Sequence, residues 1–236
     1  MKALIVAAGQ GTRLRSVARS KPLALIRGVP LIERVIEAAH EAGINEFVVV
    51  TGYEGARLEA FLKRLASRTG ISITAVRNLA WKRSNGLSVL AADPLLDDRF
   101  VLLMADHLFD PAVLADLIAQ PCLPDHVILA IDRRLDNPLV DLEDVTRVHT
   151  DSSGNIDCIG KLIPEYNAFD TGLFLAGRAL IEALQADVNA GGAGSISAGM
   201  THLASQGRAR TFDIGDRFWL DVDDATAHGQ AERLSA

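Results

Sequence analysis

The sequence predicts an α/β fold, a Rossmann-like, mostly parallel sheet flanked by helices. Three observations carry this. Short apolar runs recur at residues 3–8, 47–51, 100–104 and 127–131, the continuous hydrophobicity of strands buried on both faces. Helix-period stretches separate them, as strand–helix–strand crossovers require. A glycine-rich loop follows the first run, where such sheets hold ligands, beyond the carboxyl ends of their strands.

The elements follow in order. Residues 3–8 are the first strand, and Gly9 opens the loop. Pro30 starts a helix with Leu31, Val35, Ala38, Ala39 and Ala42 on one face, ending near Gly43. Residues 47–51 are the second strand, 55–66 an amphipathic helix and 71–76 the third strand. Residues 100–104 form the fourth strand and run into Ala105-Asp106-His107; 111–118 are helical, and 127–131 are again a strand. After residue 132 the pattern changes to a polar, irregular stretch over 133–144. A hairpin follows, 145–149 with 156–159, around the turn-rich Asp151-Ser-Ser-Gly154. A strand at 169–175, a helix at 178–186, a glycine-rich loop at 189–194, a helix at 196–206, strands near 209–213 and 218–222 and a last helix complete the chain. No internal repeat and no long linker is visible, which predicts one domain with a small substrate-side lobe.

Composition narrows the function. The 236 residues are 49% hydrophobic and 23% charged, with a net charge of −6. No broad basic field exists for a nucleic-acid backbone, so a polymeric nucleic-acid partner is not expected. No run is long enough for membrane insertion. Cys122 and Cys158 fit neither a metal pair nor a disulfide framework and read as reduced thiols, so the expected location is cytoplasmic. A homo-oligomer is left open.

Five segments carry chemistry. The first is Ala7-Ala8-Gly9-Gln10-Gly11-Thr12-Arg13-Leu14 with Lys21-Pro22-Leu23. A glycine loop after a strand offers backbone N–H groups to phosphate oxygens, and Arg13 and Lys21 add positive charge. Leu14 occupies the third glycine position of a dinucleotide fingerprint, and no Gly-Lys-Ser/Thr makes it a P-loop. Glycines that only serve a tight turn are the plain alternative. The second segment is Asp106-His107 at a strand end, a suitable place for a magnesium ligand. The third is Trp219-Leu-Asp221-Val-Asp223-Asp224. Asp221 and Asp223, two apart on a strand, point to one face and repel unless a cation lies between them. Asp224 is expected to cap the last helix. The fourth is Arg83-Ser84-Asn85-Gly86-Leu87-Ser88, which reads equally as a helix-start turn with Asn85 or Ser84 as cap. The fifth is Gly160-Lys161 with Phe169-Asp170-Thr171-Gly172.

Together these motifs resemble the signature of the sugar-phosphate nucleotidyltransferase superfamily. The resemblance implies the nucleotide-diphospho-sugar transferase fold, with residues 1–132 as the nucleotide-binding part and 133–236 as the acceptor-binding part. It also implies roles. Ala7, Ala8, Gly9, Gly11, Thr12, Arg13, Asn85, Gly86 and Ser88 would hold the nucleotide. Arg13, Lys21 and Lys161 would be catalytic, and Asp106, Asp221 and Asp223 would hold Mg²⁺, with Asp223 favoured over Asp221 as the direct ligand. His107, Lys161, Asp170, Thr171 and Gly172 would bind the acceptor. Ala105 stands where the family usually has glycine before the metal-binding aspartate. Among subfamilies the motif set is most similar to inositol-1-phosphate cytidylyltransferase, implying CTP (or another NTP) and a small phosphorylated acceptor as partners. Phosphocholine cytidylyltransferases, hexose-1-phosphate nucleotidyltransferases and a non-catalytic nucleotide-binding regulator are the alternatives.

Overall fold

The computed structural model describes residues 1–234. In chain order these form β1 (Lys2–Ala7), β2 (Leu25–Ile26), β3 (Val29–Pro30), α1 (Leu31–Glu41), β4 (Glu46–Thr51), α2 (Gly55–Thr69), β5 (Ser72–Arg77), α3 (Gly86–Ala92), β6 (Arg99–Met104) and β7 (His107–Phe109). There follow α4 (Pro111–Ala119), β8 (Val127–Asp132), β9 (Arg147–Thr150), β10 (Ile156–Gly160), β11 (Ala168–Gly177), α5 (Arg178–Asn189), α6 (Ile196–Ala204), β12 (Ala209–Asp213), β13 (Trp219–Asp221) and α7 (Ala225–Leu234).

The main sheet runs β10-β9-β11-β6-β1-β4-β5, and β8 and β12 extend from β11. Strands β6, β1, β4 and β5 are parallel; β11 is antiparallel to β6 and to β8. The central strands β1, β4 and β6 carry continuous apolar runs because both faces are covered, whereas the edge strand β5 is largely exposed. Ala3, Ile5, Val49 and Leu103 pack on one side with Val35 and Leu58. Leu4, Val48, Val50 and Leu102 pack on the other with Val89, Leu180 and Met200. A side chain of this size contributes about 1.5–3 kcal/mol when buried. No helix among the described residues is long and apolar enough to cross a membrane.

The expected strands and helices are present, with three adjustments. α2 continues to Thr69 and stops at Gly70, whose φ of 76° ends a helix readily. α3 goes beyond the helix-start turn expected at Ser84–Asn85: it is a short helix, Gly86–Ala92, fixed by packing. A Cβ on Gly86 would lie 2.4 Å from the carbonyl oxygen of Gly194, so only glycine lets the two segments touch. β13 does not join the main sheet. It pairs antiparallel with β7 and ends at Asp221, so Asp223 lies just beyond the strand and not on it. Asp224 does cap α7, accepting from the Ala227 N–H at 2.8 Å.

Candidate active site

The carboxyl ends of β1 and β6 and the β7–β13 ribbon converge on one side of the sheet. Gly11, at φ 59°, turns the chain after β1, and a Cβ there would fall 2.5 Å from the Lys21 Cβ. The missing side chain lets Lys21 pass behind the loop. Leu14, fully buried, anchors the turn that carries Arg13. Gly9 has open space where a Cβ would be and borders a recess of about 190 Å³ shared with Ala7, Gly11, Lys21, Asp106 and Asp223.

Lys21 is nearly buried, with 8% of its side chain exposed. It reaches three carboxylates: Asp106 at 2.6 Å, Asp223 in a close ion pair, and Asp221 at 3.9 Å. Arg13 pairs closely with Asp223 and Asp144. Segments 13–21, 106 and 221–223 thus meet at one point. Asp106 receives a second bond from His107 Nδ1 at 2.8 Å. Burial alone would raise the Asp106 carboxyl, but the Lys21 ammonium and the His107 bond hold it well below the usual range. Burial also opposes charge on His107, yet Asp221 and Asp106 push it up to about 9. The ring stacks on Trp219, centroids 6.2 Å apart, and lies where a Cβ of Gly172 would be.

Asp221 is the exception. Its Oδ1 is buried without a hydrogen-bond partner, and burial together with Asp106 raises its carboxyl. Asp106, His107 and Asp221 place ligand atoms within 4.8 Å of one another, and so do Asp144, Asp221 and Asp223. An unpartnered carboxylate oxygen among hard oxygen donors fits a divalent cation such as Mg²⁺.

A second cleft of about 620 Å³ opens beside this point, lined by Asp106, His107, Asp144, Lys161, Asp170 and Gly172 among others. Asp170 sits on its floor, and its Oδ1 accepts from the Gly172 N–H at 2.7 Å. Burial pushes this carboxyl up to about 6. Lys161, more than half exposed, pairs with Asp144 at 2.5 Å.

The other expected residues sit at the edge of these spaces or in the core. Ala7 and Ala8 are buried at the end of β1, where the Ala8 carbonyl accepts from Tyr53 N–H. Thr12 is exposed beside Arg13. Asn85 borders the large cleft, but its Oδ1 accepts from the Ile196 N–H and so anchors α6. Gly86 is buried against the Gly194 loop. Ser88 is buried and bonds to Asn78, and Thr171 is buried with its hydroxyl on the Ala130 carbonyl. These three side positions face the core and not the cleft. Sequence reasoning missed Asp144. Its only signal was the acidic spacing Asp141-x-Glu143-Asp144 in a polar, irregular stretch.

The MobA-like NTP transferase domain family matches residues 3–203. The chain is 36% identical over 226 residues to a bifunctional IPC transferase and DIPP synthase of Rubrobacter xylanophilus, covering 94% of this chain and 49% of that protein. A CMP-5'-(3-aminopropyl)phosphonate synthase of Streptomyces rubellomurinus is 31% identical over 98% of this chain and 38% of its own length. The chain spans about half the length, or less, of these curated relatives. Among solved structures, the inositol-1-phosphate CTP transferase from T. maritima superposes with a TM-score of 0.85 at 26% identity, over 96% of this chain and 90% of that one.

Proposed function

From the premise that this chain belongs to the MobA-like NTP transferase family, we propose that it is a Mg²⁺-dependent cytidylyltransferase that converts CTP and inositol-1-phosphate, or a similar polyol phosphate, to CDP-inositol and pyrophosphate. One observation carries this reading. Arg13 of the glycine loop and Lys21 behind it meet the carboxylates Asp106 and Asp223 beside a cleft lined by Asp170.

A phosphate oxygen of the acceptor attacks the α-phosphorus of the nucleotide. The new P–O bond forms as the bond to pyrophosphate breaks, and pyrophosphate leaves with the electron pair. A phosphate monoester is already ionised at neutral pH, so no strong general base is needed. The chain's task is to align the reactants and stabilise charge. The Gly9–Gly11 amides, Arg13 and Lys21 hold the triphosphate, and Lys161 holds the acceptor phosphate. Asp170 accepts from acceptor hydroxyls. Asp106, Asp221 and Asp223 hold the metal, which when bound neutralises charge on the triphosphate. His107 serves Asp106 directly, and its Nδ1 is thereby withdrawn from the acceptor.

The lining of the cleft offers acceptors for hydroxyls and no open Phe or Trp face for a quaternary ammonium. A quaternary ammonium is held by open aromatic faces. The cleft's aromatic residues, Phe174 and Trp219, are buried, 1% and 3% exposed, whereas its carboxylates suit hydroxyl donors. The test is pyrophosphate release with Mg²⁺, each of four NTPs, and inositol-1-phosphate, phosphocholine, glucose-1-phosphate and an aminoalkylphosphonate as acceptors. Release with CTP and inositol-1-phosphate alone supports the reading. Release with another pair keeps the mechanism and changes the acceptor. Nucleotide binding by calorimetry with no release from any pair would favour a nucleotide-binding regulator.

A further inference from the structure

The segment 141–145 is a fixed turn. The N–H groups of Asp144 and Val145 both donate to the Asp141 carbonyl, at 3.2 and 2.9 Å, and Glu143 N–H donates to the Asp141 side chain at 3.0 Å. Arg147 ties this turn to the loop carrying Lys161, donating to the carbonyls of Leu142 at 3.3 Å and Ile163 at 3.5 Å. From the turn the Asp144 carboxylate reaches in two directions. Its Oδ1 takes Lys161 at 2.5 Å, and its Oδ2 takes Arg13 in a close pair, although Arg13 lies 131 residues away.

Stability does not account for this arrangement. Lys161 and Arg13 are 53% and 42% exposed, and exposed pairs of this kind contribute about 0–1 kcal/mol. The placement is informative instead. Arg13 belongs to the nucleotide loop and Lys161 to the acceptor side. Two cations that must converge on two phosphates repel each other until the phosphates arrive, and a carboxylate between them removes that repulsion. Each cation keeps spare donors for a phosphate, since a guanidinium has five N–H groups and an ammonium three. Asp144 itself is held ionised: burial would raise it, but the bonds from Lys161 and Arg13 bring it below the ordinary range.

We infer that Asp144 is a positioning residue that ties Arg13 to Lys161 and so sets the spacing between the phosphate of the nucleotide and the phosphate of the acceptor. The inference rests on the transferase reading above, which assigns those two cations to two substrates.

The test compares wild type with Asp144→Asn, Lys161→Met and the double variant, with Asp141→Asn as a charge control that touches Arg13 but not Lys161. Two readouts are used. The first is the rate at which an amine-acylating reagent modifies Lys161 in the absence of nucleotide, read by peptide mass spectrometry. Asp144→Asn is expected to raise it several-fold, and Asp141→Asn and 5 mM Mg²⁺ on wild type to leave it unchanged. The second is the acceptor KM in the pyrophosphate-release assay. Asp144→Asn is expected to raise it about tenfold, with a melting temperature close to wild type, and to add nothing in the Lys161→Met background.

Equal labelling of wild type and Asp144→Asn overturns the inference. So does labelling that Mg²⁺ alone accelerates, which would make Asp144 a metal ligand. Additive KM effects, or tighter acceptor binding by Asp144→Asn, overturn it as well. If no substrate pair reacts, the transferase reading fails, and the labelling readout by itself decides whether Asp144 holds Lys161.

Discussion

Asp132 and Asp221 are both partly or wholly enclosed carboxylates at strand ends, and they are treated in opposite ways. Asp132 is fully buried and saturated. Arg134 donates to it from its backbone N–H, Nε and Nη2 at 2.9–3.0 Å, Asn137 donates at 2.8 Å and the Trp219 indole at 2.7 Å. Burial would raise this carboxyl, yet those donors hold it below the ordinary range. Asp221 lies two residues beyond Trp219 on the same ribbon. It shares Lys21 with two other aspartates, leaves one buried oxygen without a partner and is raised. A carboxylate that the protein satisfies completely is part of the scaffold. One that the protein surrounds and leaves short of donors awaits something from outside. The two clusters are linked, because Trp219 bonds to Asp132 and stacks on His107, which bonds to Asp106. The satisfied cluster therefore fixes the ribbon on which the unsatisfied one is built.

The sharpest way to break this contrast is to remove one carboxylate from each side. Asp106→Ala is expected to lower turnover by at least about a thousandfold, roughly 4 kcal/mol of transition-state stabilisation, while urea unfolding shifts far less. Asp132→Ala should do the reverse. Leaving Arg134 and the indole of Trp219 without their buried acceptor is expected to cost about 3 kcal/mol of unfolding free energy. The same denaturation series reads both variants. If Asp106→Ala proves the more destabilising, the division between scaffold and site is wrong.

A smaller effect sharpens it further. Asp221→Asn keeps the shape and removes a charge that burial and Asp106 oppose. In EDTA the variant should melt higher than wild type, because the burial that opposes the charge outweighs its attraction to His107 and Lys21. Addition of Mg²⁺ should raise wild type and leave the variant behind. A variant less stable than wild type in EDTA would mean that the Asp221 carboxylate is already satisfied by the protein.

The contrast also separates what was legible in the sequence. The central parallel strands β1, β4 and β6 were legible because each carries a continuous apolar run, a pattern set by burial on both faces and independent of distant residues. That the glycine loop, Asp106 and the Asp221–Asp223 pair belong together was expected from the motif resemblance, although Asp223 lies beyond β13 and not on it. Asp144 and Asp132 were not legible. Their partners, Arg13 and Trp219, lie 131 and 87 residues away, and nothing in a lone aspartate announces a distant cation or indole. α3 was legible only as a helix-start turn, for a related reason. Gly86 is a poor helix residue, and its helix exists because Gly194 and Leu184 pack against it. Ser88 and Thr171 carry polar atoms in motif positions, but their hydroxyls are used to tie the core, at Asn78 and at the Ala130 carbonyl.

Asp170 lies between the two extremes, and its pH dependence gives the smallest predicted effect. It has one backbone donor, Gly172, and burial pushes it up to about 6, partly offset by that bond and by His107. The folded state thus binds the proton more tightly than the unfolded chain, whose aspartates titrate near 4. Between these values the folded form carries the extra proton, so this group's contribution to stability falls as pH rises from about 4 through 6 and is constant above. A difference of two pH units corresponds to about 3 kcal/mol in a sealed site. Water in the cleft reduces it to about 1 kcal/mol. Asp170→Asn removes the cost of ionisation. Metal-free variant and wild type should melt together near pH 4, and the variant should gain that margin by pH 7 and hold it. The same substitution should weaken the acceptor, because the amide offers the hydroxyls one acceptor oxygen in place of two. A variant that is more stable at neutral pH yet worse at turnover would place Asp170 with the unsatisfied group; loss of stability at every pH would place it with Asp132.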